Sequence, residues 1–210
     1  MAMVINTNIS SLAAQRNLAR SSGTLRKSVE RLSSGLRINR AADDAAGLAV
    51  STTLKAQIRS VNQAIRNSND AVSLLQTAEG GLAEMGNILL RMRELAQQAA
   101  NGALGDTERQ FLNDEYLALK SEIQRISDVT EFAGKKLLNG ALSAGVEFQV
   151  GFQNSANDRM ELSINQASAA RLGLNTTSAN TISTAAVAQS ALSVIDSSAI
   201  STLSERRADI

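Results

Sequence analysis

Asp43 and Asp44 stand side by side within RAADDAAG. Neighbouring carboxylates can do acid–base work or hold a divalent cation. No third ligand or base accompanies them, and the sequence has no His and no Cys. Thiolate nucleophiles, imidazole bases, disulfides and the usual zinc sites are therefore excluded. The pair has a plainer use. Ser33-Ser34-Gly35 can end one helix with Gly in the left-handed conformation, and both aspartates then stand where the next helix would begin. No catalytic, cofactor-binding or metal-binding residue is expected, no cofactor is implied, and an enzyme is not expected.

Composition narrows the partners. The chain has 21 Lys+Arg against 20 Asp+Glu, so charge gives no reason for a nucleic-acid or anionic-membrane partner. Aromatics make up only 2%, too few for base stacking or an aromatic-rich core. Pro is absent, so nothing stops a long helix abruptly. No stretch approaches the ~20 apolar residues of a membrane span. The first 20 residues lack the apolar core of a secretory signal.

The elements are organised around residues 54–99. Leu54, Ile58, Val61, Ile65, Ser68, Val72 and Leu75 recur at steps of four and three, and so do Ala78, Leu82, Met85, Leu89, Met92, Ala96 and Ala99. Such heptad seams let helices wind together. One short step, Leu75 to Ala78, joins them and predicts a stammer. Unbroken, this helix would be roughly 70 Å long. A break at Gly80-Gly81 is the alternative, since each Gly costs ~1 kcal/mol in a helix.

Upstream, Ile5, Ile9 and Leu12 form one short seam and Leu25, Val29, Leu32 and Leu36 another. Both are thin, so residues 1–36 are expected to order only when partners cover them. Downstream, Asn101-Gly102 predicts a turn. Thr107 with Gln110 predicts a capping box. Leu112, Tyr116, Leu119, Ile123 and Ile126 then predict a shorter helix folded back antiparallel. Val146, Phe148 and Val150, then Met160, Leu162 and Ile164, alternate around a polar cluster and predict a β-hairpin over 145–165. A Ser/Thr/Asn-rich connector follows. Ala188, Leu192, Ile195, Ala199 and Leu203 return to helical spacing. Residues 204–210 still read as helix, so the sequence ends inside an element and a shortened chain is expected. The fold class expected is mainly α: an elongated antiparallel helical bundle, a coiled-coil-like rod, with one β-hairpin packed on it.

Several long runs carry a resemblance: INTNISSLAAQRNL, LSSGLRINRAADDAAGLAVS, RNSNDAVSLLQTAEGGLAEMGNILLRMRELAQQAANG, EIQRISDVTEFAGKKLLNG and FQVG. With them the chain resembles bacterial flagellin, the flagellar filament subunit. The resemblance implies an inner-tube helix segment over 1–44, an outer-tube domain of two helices and a hairpin over 45–175, and the start of a returning C-terminal helix over 176–210. It implies self-assembly with filament neighbours, export through the flagellar type III apparatus, addition under the filament cap, and an extracellular location. The family's export chaperone binds a C-terminal end that this sequence lacks, so chaperone binding is not carried over. The alternatives are a truncated, non-polymerising soluble receptor agonist and a hook-filament junction protein.

The resemblance also implies a contact with the innate immune receptor Toll-like receptor five, at Arg91, Leu95 and Glu115 within RMREL and NDEYL. The plainer expectation is that Arg91 and Glu115 form a solvated ion pair. Leu95 lies off the main seam, which predicts a flanking contact or an exposed anchor.

Overall fold

The computed structural model describes residues 8–176 and 179–209. The chain falls into two compact units, which meet in the sequence between Arg59 and Ser60.

In the first unit, helix α1 spans Ile9–Ser34. Asn8 caps it by accepting from the Ser11 N–H at 3.1 Å. Ile5 lies outside the described residues. No side chain of α1 is buried, and Leu32 is 86% exposed. Gly35 ends the helix at φ +68°, its N–H donating to the Arg31 carbonyl at 2.9 Å, as the Ser-Ser-Gly pattern predicts. The segment that follows is tied back to α1 by two ion pairs, Lys27–Asp43 at 2.9 Å and Glu30–Arg40 at 3.0 Å.

Asp44 accepts from the Gly47 N–H at 2.8 Å and caps α2, Ala45–Ala99. Asp43 does not share that role. Its carboxylate is taken by Lys27, whose hydrogen bond holds it below the usual carboxylate range. Capping therefore explains one of the two aspartates, because the turn aims the other back at α1. A Cβ on Gly47 would meet the Asp44 carboxylate and, at 2.8 Å, Ile38 Cδ1, so a side chain there would displace the capping carboxylate and the end of Ile38.

Helix α2 runs 55 residues without a break. Its two central glycines differ. Nothing lies within 4 Å of where a Cβ on Gly80 would sit, whereas a Cβ on Gly81 would meet Leu138 Cδ1 at 2.9 Å and Thr130 Oγ1 at 3.1 Å. Gly81 is thus the point where the loop after α3 closes on α2. Gly80→Ala is expected to stabilise the second unit by about 1 kcal/mol through helix propensity. Gly81→Ala is expected to lose that gain to the clash and to lower the denaturation midpoint. Equal midpoints for the two variants would contradict this packing.

In the second unit every residue of the downstream seam, from Ala78 to Ala99, is buried. The upstream seam is corrected. Val61, Ile65 and Val72 are exposed, and Ala64 and Ala71 are buried beside half-buried Ser68 and Leu75. Traced back from Ala78 as 75, 71, 68 and 64, the covered face keeps its four-three spacing, and the packing has no stammer. Small residues carry this part because the hairpin end lies close: Asn67 Nδ2 donates to the Gln149 carbonyl at 2.9 Å.

Helix α3, Asp106–Val129, runs antiparallel to α2: Arg91 meets Glu115, and the Ala99 carbonyl meets Arg109. Its predicted seam packs on the core, with Tyr116, Ile123 and Ile126 buried and Leu112 and Leu119 half-buried. The capping box does not form. Gly105 is the N-cap, so Thr107 falls inside the first turn. The start is set by Arg109, which is 6% exposed. Its guanidinium donates to the carbonyls of Ala99 (2.9 Å), Asn101 (3.1 Å) and Leu104 (3.0 Å) and to the Asp106 carboxylate (3.2 Å). One buried residue thereby satisfies the open end of α2 and shapes the corner between the helices.

Two hairpins follow rather than one. Strands β1, Glu131–Phe132, and β2, Lys135–Lys136, are joined through Ala133 (φ 49°) and Gly134 (φ 78°), the double positive-φ pattern of a type I′ turn. Strands β3, Val146–Gln149, and β4, Arg159–Leu162, form the predicted hairpin, with Val146 opposite Leu162 and Phe148 opposite Met160. Val146, Phe148 and Leu162 pack on the helical core.

The connector is gripped by polar groups on one face of α3. Asn113 Oδ1 accepts from the Ile182 N–H at 2.9 Å, and the Tyr116 hydroxyl donates to the Ala179 carbonyl at 3.0 Å. Burial pushes the Tyr116 phenol up to about 12. Helix α4, Ala185–Val194, continues through a π-helical turn at Ile195–Ala199 into α5, Ile200–Ala208. This composite helix is antiparallel to α2: Arg93 meets Asp196 at 2.6 Å, and Glu79 meets Arg207 at 3.6 Å. Ala188, Ile195, Ala199 and Leu203 are buried and Leu192 half-buried, on the predicted spacing.

Candidate interaction surface

The fold brings Arg91 and Glu115 together and separates Leu95 from both in kind. Arg91 Nε and Nη2 both donate to Glu115 Oε1, at 3.0 and 2.8 Å, and Nη1 donates to Glu94 Oε2 at 3.1 Å. These bonds, to Glu115 first, hold the guanidinium above its ordinary range. About half of each side chain remains open to solvent (50% and 45%), so the pair adds little to stability. Leu95, by contrast, is 1% exposed and belongs to the hydrophobic core with Met92 and Ala99. Of the two expectations for Leu95, the exposed anchor is corrected and the flanking contact is what forms. Leu95 adjoins Ala96 on the side of the seam that the other helices cover, so the covered arc of α2 is wider than a strict two-in-seven stripe.

Phe111 is a residue that sequence reasoning misses. It sits one helical turn before Glu115 on the same face of α3 and is 68% exposed. Of the four Phe and one Tyr in the sequence, Phe111 and Phe152 are exposed, and Phe111, on a helix face, is the more open of the two. The signal is present: 111 is out of phase with the seam at 112, 116 and 119.

Apolar side chains are also uncovered elsewhere. In the first unit these are Ile9, Leu12, Leu18, Leu25, Val29 and Leu32 of α1, and in the second Val61, Ile65 and Val72 of α2. Such rows mark surfaces that meet other protein. Among the described residues no cluster of three or more acidic side chains is placed to hold a metal ion, and no helix is long and apolar enough to cross a membrane.

Comparison with known proteins places these features. Residues 5–143 match the family described as the bacterial flagellin N-terminal helical region. The B-type flagellin of Pseudomonas aeruginosa is 49% identical over 173 residues, covering 82% of this chain and 35% of that protein. Flagellin A of Vibrio cholerae is 48% identical over 173 residues, covering 82% of this chain and 45% of that protein. The chain thus spans less than half the length of these relatives. Among solved structures, the crystal structure of Bacillus cereus flagellin is 34% identical with a TM-score of 0.58, covering 68% of this chain and 79% of that one.

Proposed function

This chain belongs to the bacterial flagellin family through its N-terminal helical region, and on that premise we propose that it is a structural subunit of the flagellar filament, packed by its helices against copies of itself outside the cell. The observation that carries this is α1, a 26-residue helix with apolar side chains along it and none of them buried. A helix left so bare is marginal alone in water and gains most of its stability from packing. Heterologous contacts that do not close on themselves build helical filaments. In this arrangement residues 1–44 form the inner tube, 45–175 the outer tube and 176–210 the start of the returning helix. Export through the flagellar type III apparatus and addition under the cap belong to the same proposal, which is structural rather than catalytic.

Sedimentation tests it. Added to growing filaments of a related flagellin, the protein is expected in the pellet. The double variant Leu18→Asp, Leu25→Asp is expected in the supernatant with its helix content in the second unit unchanged, since neither side chain is buried. Equal pelleting of the two would count against filament packing through α1.

A second reading rests on the exposed Arg91–Glu115 pair. We infer that this pair contacts Toll-like receptor five, with Leu95 supporting the surface from beneath. Arg91→Ala and Glu115→Ala are each expected to weaken receptor signalling by about tenfold, the effect of losing a centrally placed interface residue, at unchanged thermal stability. Full signalling by both variants would remove the assignment.

A further inference from the structure

The corner between α2 and α3 holds a reactive pair. The sequence has two Asn-Gly pairs, Asn101-Gly102 and Asn139-Gly140. In both, the Asn Oδ1 accepts from the backbone N–H two residues on, Ala103 or Ala141, each at 3.0 Å. That turn folds the side-chain amide over the next peptide unit and polarises it toward attack at Cγ. Their surroundings differ. Asn101 and Gly102 are exposed, and nothing lies within 4 Å of the position a Gly102 Cβ would take. Gly140 is held at φ +95° against Gln166, with Asn139 half-buried. The preceding Leu138 carbonyl is bonded by both Ser127 Oγ and the Ala167 N–H.

Arg109 adds a second difference. Its Nη2 donates at 3.1 Å to the Asn101 carbonyl, which is the oxygen of the Asn101–Gly102 peptide. A cation on that oxygen stabilises the amidate formed when the Gly102 N–H loses its proton. With no Cβ, that nitrogen is also unhindered.

We propose that Asn101 is a site of spontaneous deamidation, activated by Arg109 and the Ala103 N–H, and that Asn139 is protected. Hydroxide removes the Gly102 amide proton. The nitrogen bonds to Asn101 Cγ, the Cγ–Nδ2 bond breaks, and ammonia leaves, closing a succinimide. One water then opens the ring, at the bond from nitrogen to Cγ to give aspartate, or at the bond from nitrogen to the backbone carbonyl carbon to give isoaspartate. The net change is one water in and one ammonia out. The isoaspartyl form adds one methylene to the backbone path and turns the former Asn101 carbonyl, the oxygen that Arg109 Nη2 holds at 3.1 Å, into a free carboxylate, so the chain no longer runs through the group that this residue grips.

The test is incubation of the folded 210-residue protein in mildly alkaline buffer, with peptide mass spectrometry at both sites. Acid at 101 is expected to accumulate at least about tenfold faster than at 139, which reacts only after local opening. In denaturant the two rates should converge, and the rate at 101 should fall. Gly102→Ala, which meets no neighbour, is expected to slow reaction at 101 and leave 139 alone. Equal rates in the folded protein, a faster rate at 139, a rise at 101 on denaturation, or no effect of Gly102→Ala would each overturn the proposal. The two-site comparison in the unaltered protein stands even if that variant folds poorly.

Discussion

Leu95→Glu is expected to unfold residues 60–210 rather than trim a surface contact. The side chain is 1% exposed within the core that α2 shares with α3 and the C-terminal helix. A carboxyl group placed there without a partner is expected to lower stability by about 4 kcal/mol or more. That is a large share of the ~5–15 kcal/mol that holds an ordinary domain together. Far-UV circular dichroism through a denaturant series checks it. The expected result is a collapsed or strongly shifted midpoint, with Leu95→Ala intermediate at about 2–5 kcal/mol. An unchanged midpoint for Leu95→Glu would mean that this position is not buried. Any loss of receptor signalling in that variant would follow from the lost fold, so the test of the receptor surface belongs to Arg91 and Glu115.

Arg109→Ala is the second large effect. Its guanidinium serves three main-chain carbonyls and one carboxylate while almost fully buried. Truncation leaves the Ala99 carbonyl at the end of α2 without its donor and opens a hole at the corner. The expected loss is about 3 kcal/mol. Arg109→Lys is expected to recover little of it, because a compact ammonium cannot reproduce a planar fork across several carbonyls. Denaturant midpoints measure the loss. Amide hydrogen exchange should show it concentrated at residues 99–105, with the far end of α2 protected as before. Uniform deprotection along α2 would argue that Arg109 supports the whole unit instead of its corner.

Much of the architecture is legible in the sequence because its signals are local. The Ala78–Ala99 spacing announces a covered helical face, Ser-Ser-Gly announces a helix end with Gly35 left-handed, and alternation over 146–164 announces the β3–β4 hairpin, whose register only the structure shows. The β1–β2 hairpin has no such signal, since two-residue strands leave no alternation to read and its turn has Ala133, not Asn or Asp, at the first positive-φ position.

The interaction surface is half legible. The Arg91–Glu115 pair is the solvated ion pair that residue types predict, and the residues near it match a known family. Spacing leaves Leu95 open between a flanking contact and an exposed anchor, because it does not report how far past the seam the covered arc extends. Phe111 betrays its exposure only through its phase, which a search for apolar seams passes over.

Residue order alone settles that α1 ends at Gly35, which residues could line a seam, and that thiol and imidazole chemistry are out of reach, because these depend on residue type and on neighbours within a turn or two along the backbone. Which of two overlapping rows on α2 is covered, Ala64 and Ala71 or Val61, Ile65 and Val72, was decided when the hairpin end reached Asn67. The role of Arg109 likewise needed carbonyls from Ala99, Asn101 and Leu104 to converge on one guanidinium. Periodicity reports that a face is apolar, whereas burial depends on what arrives to cover it, and that is a property of the folded molecule.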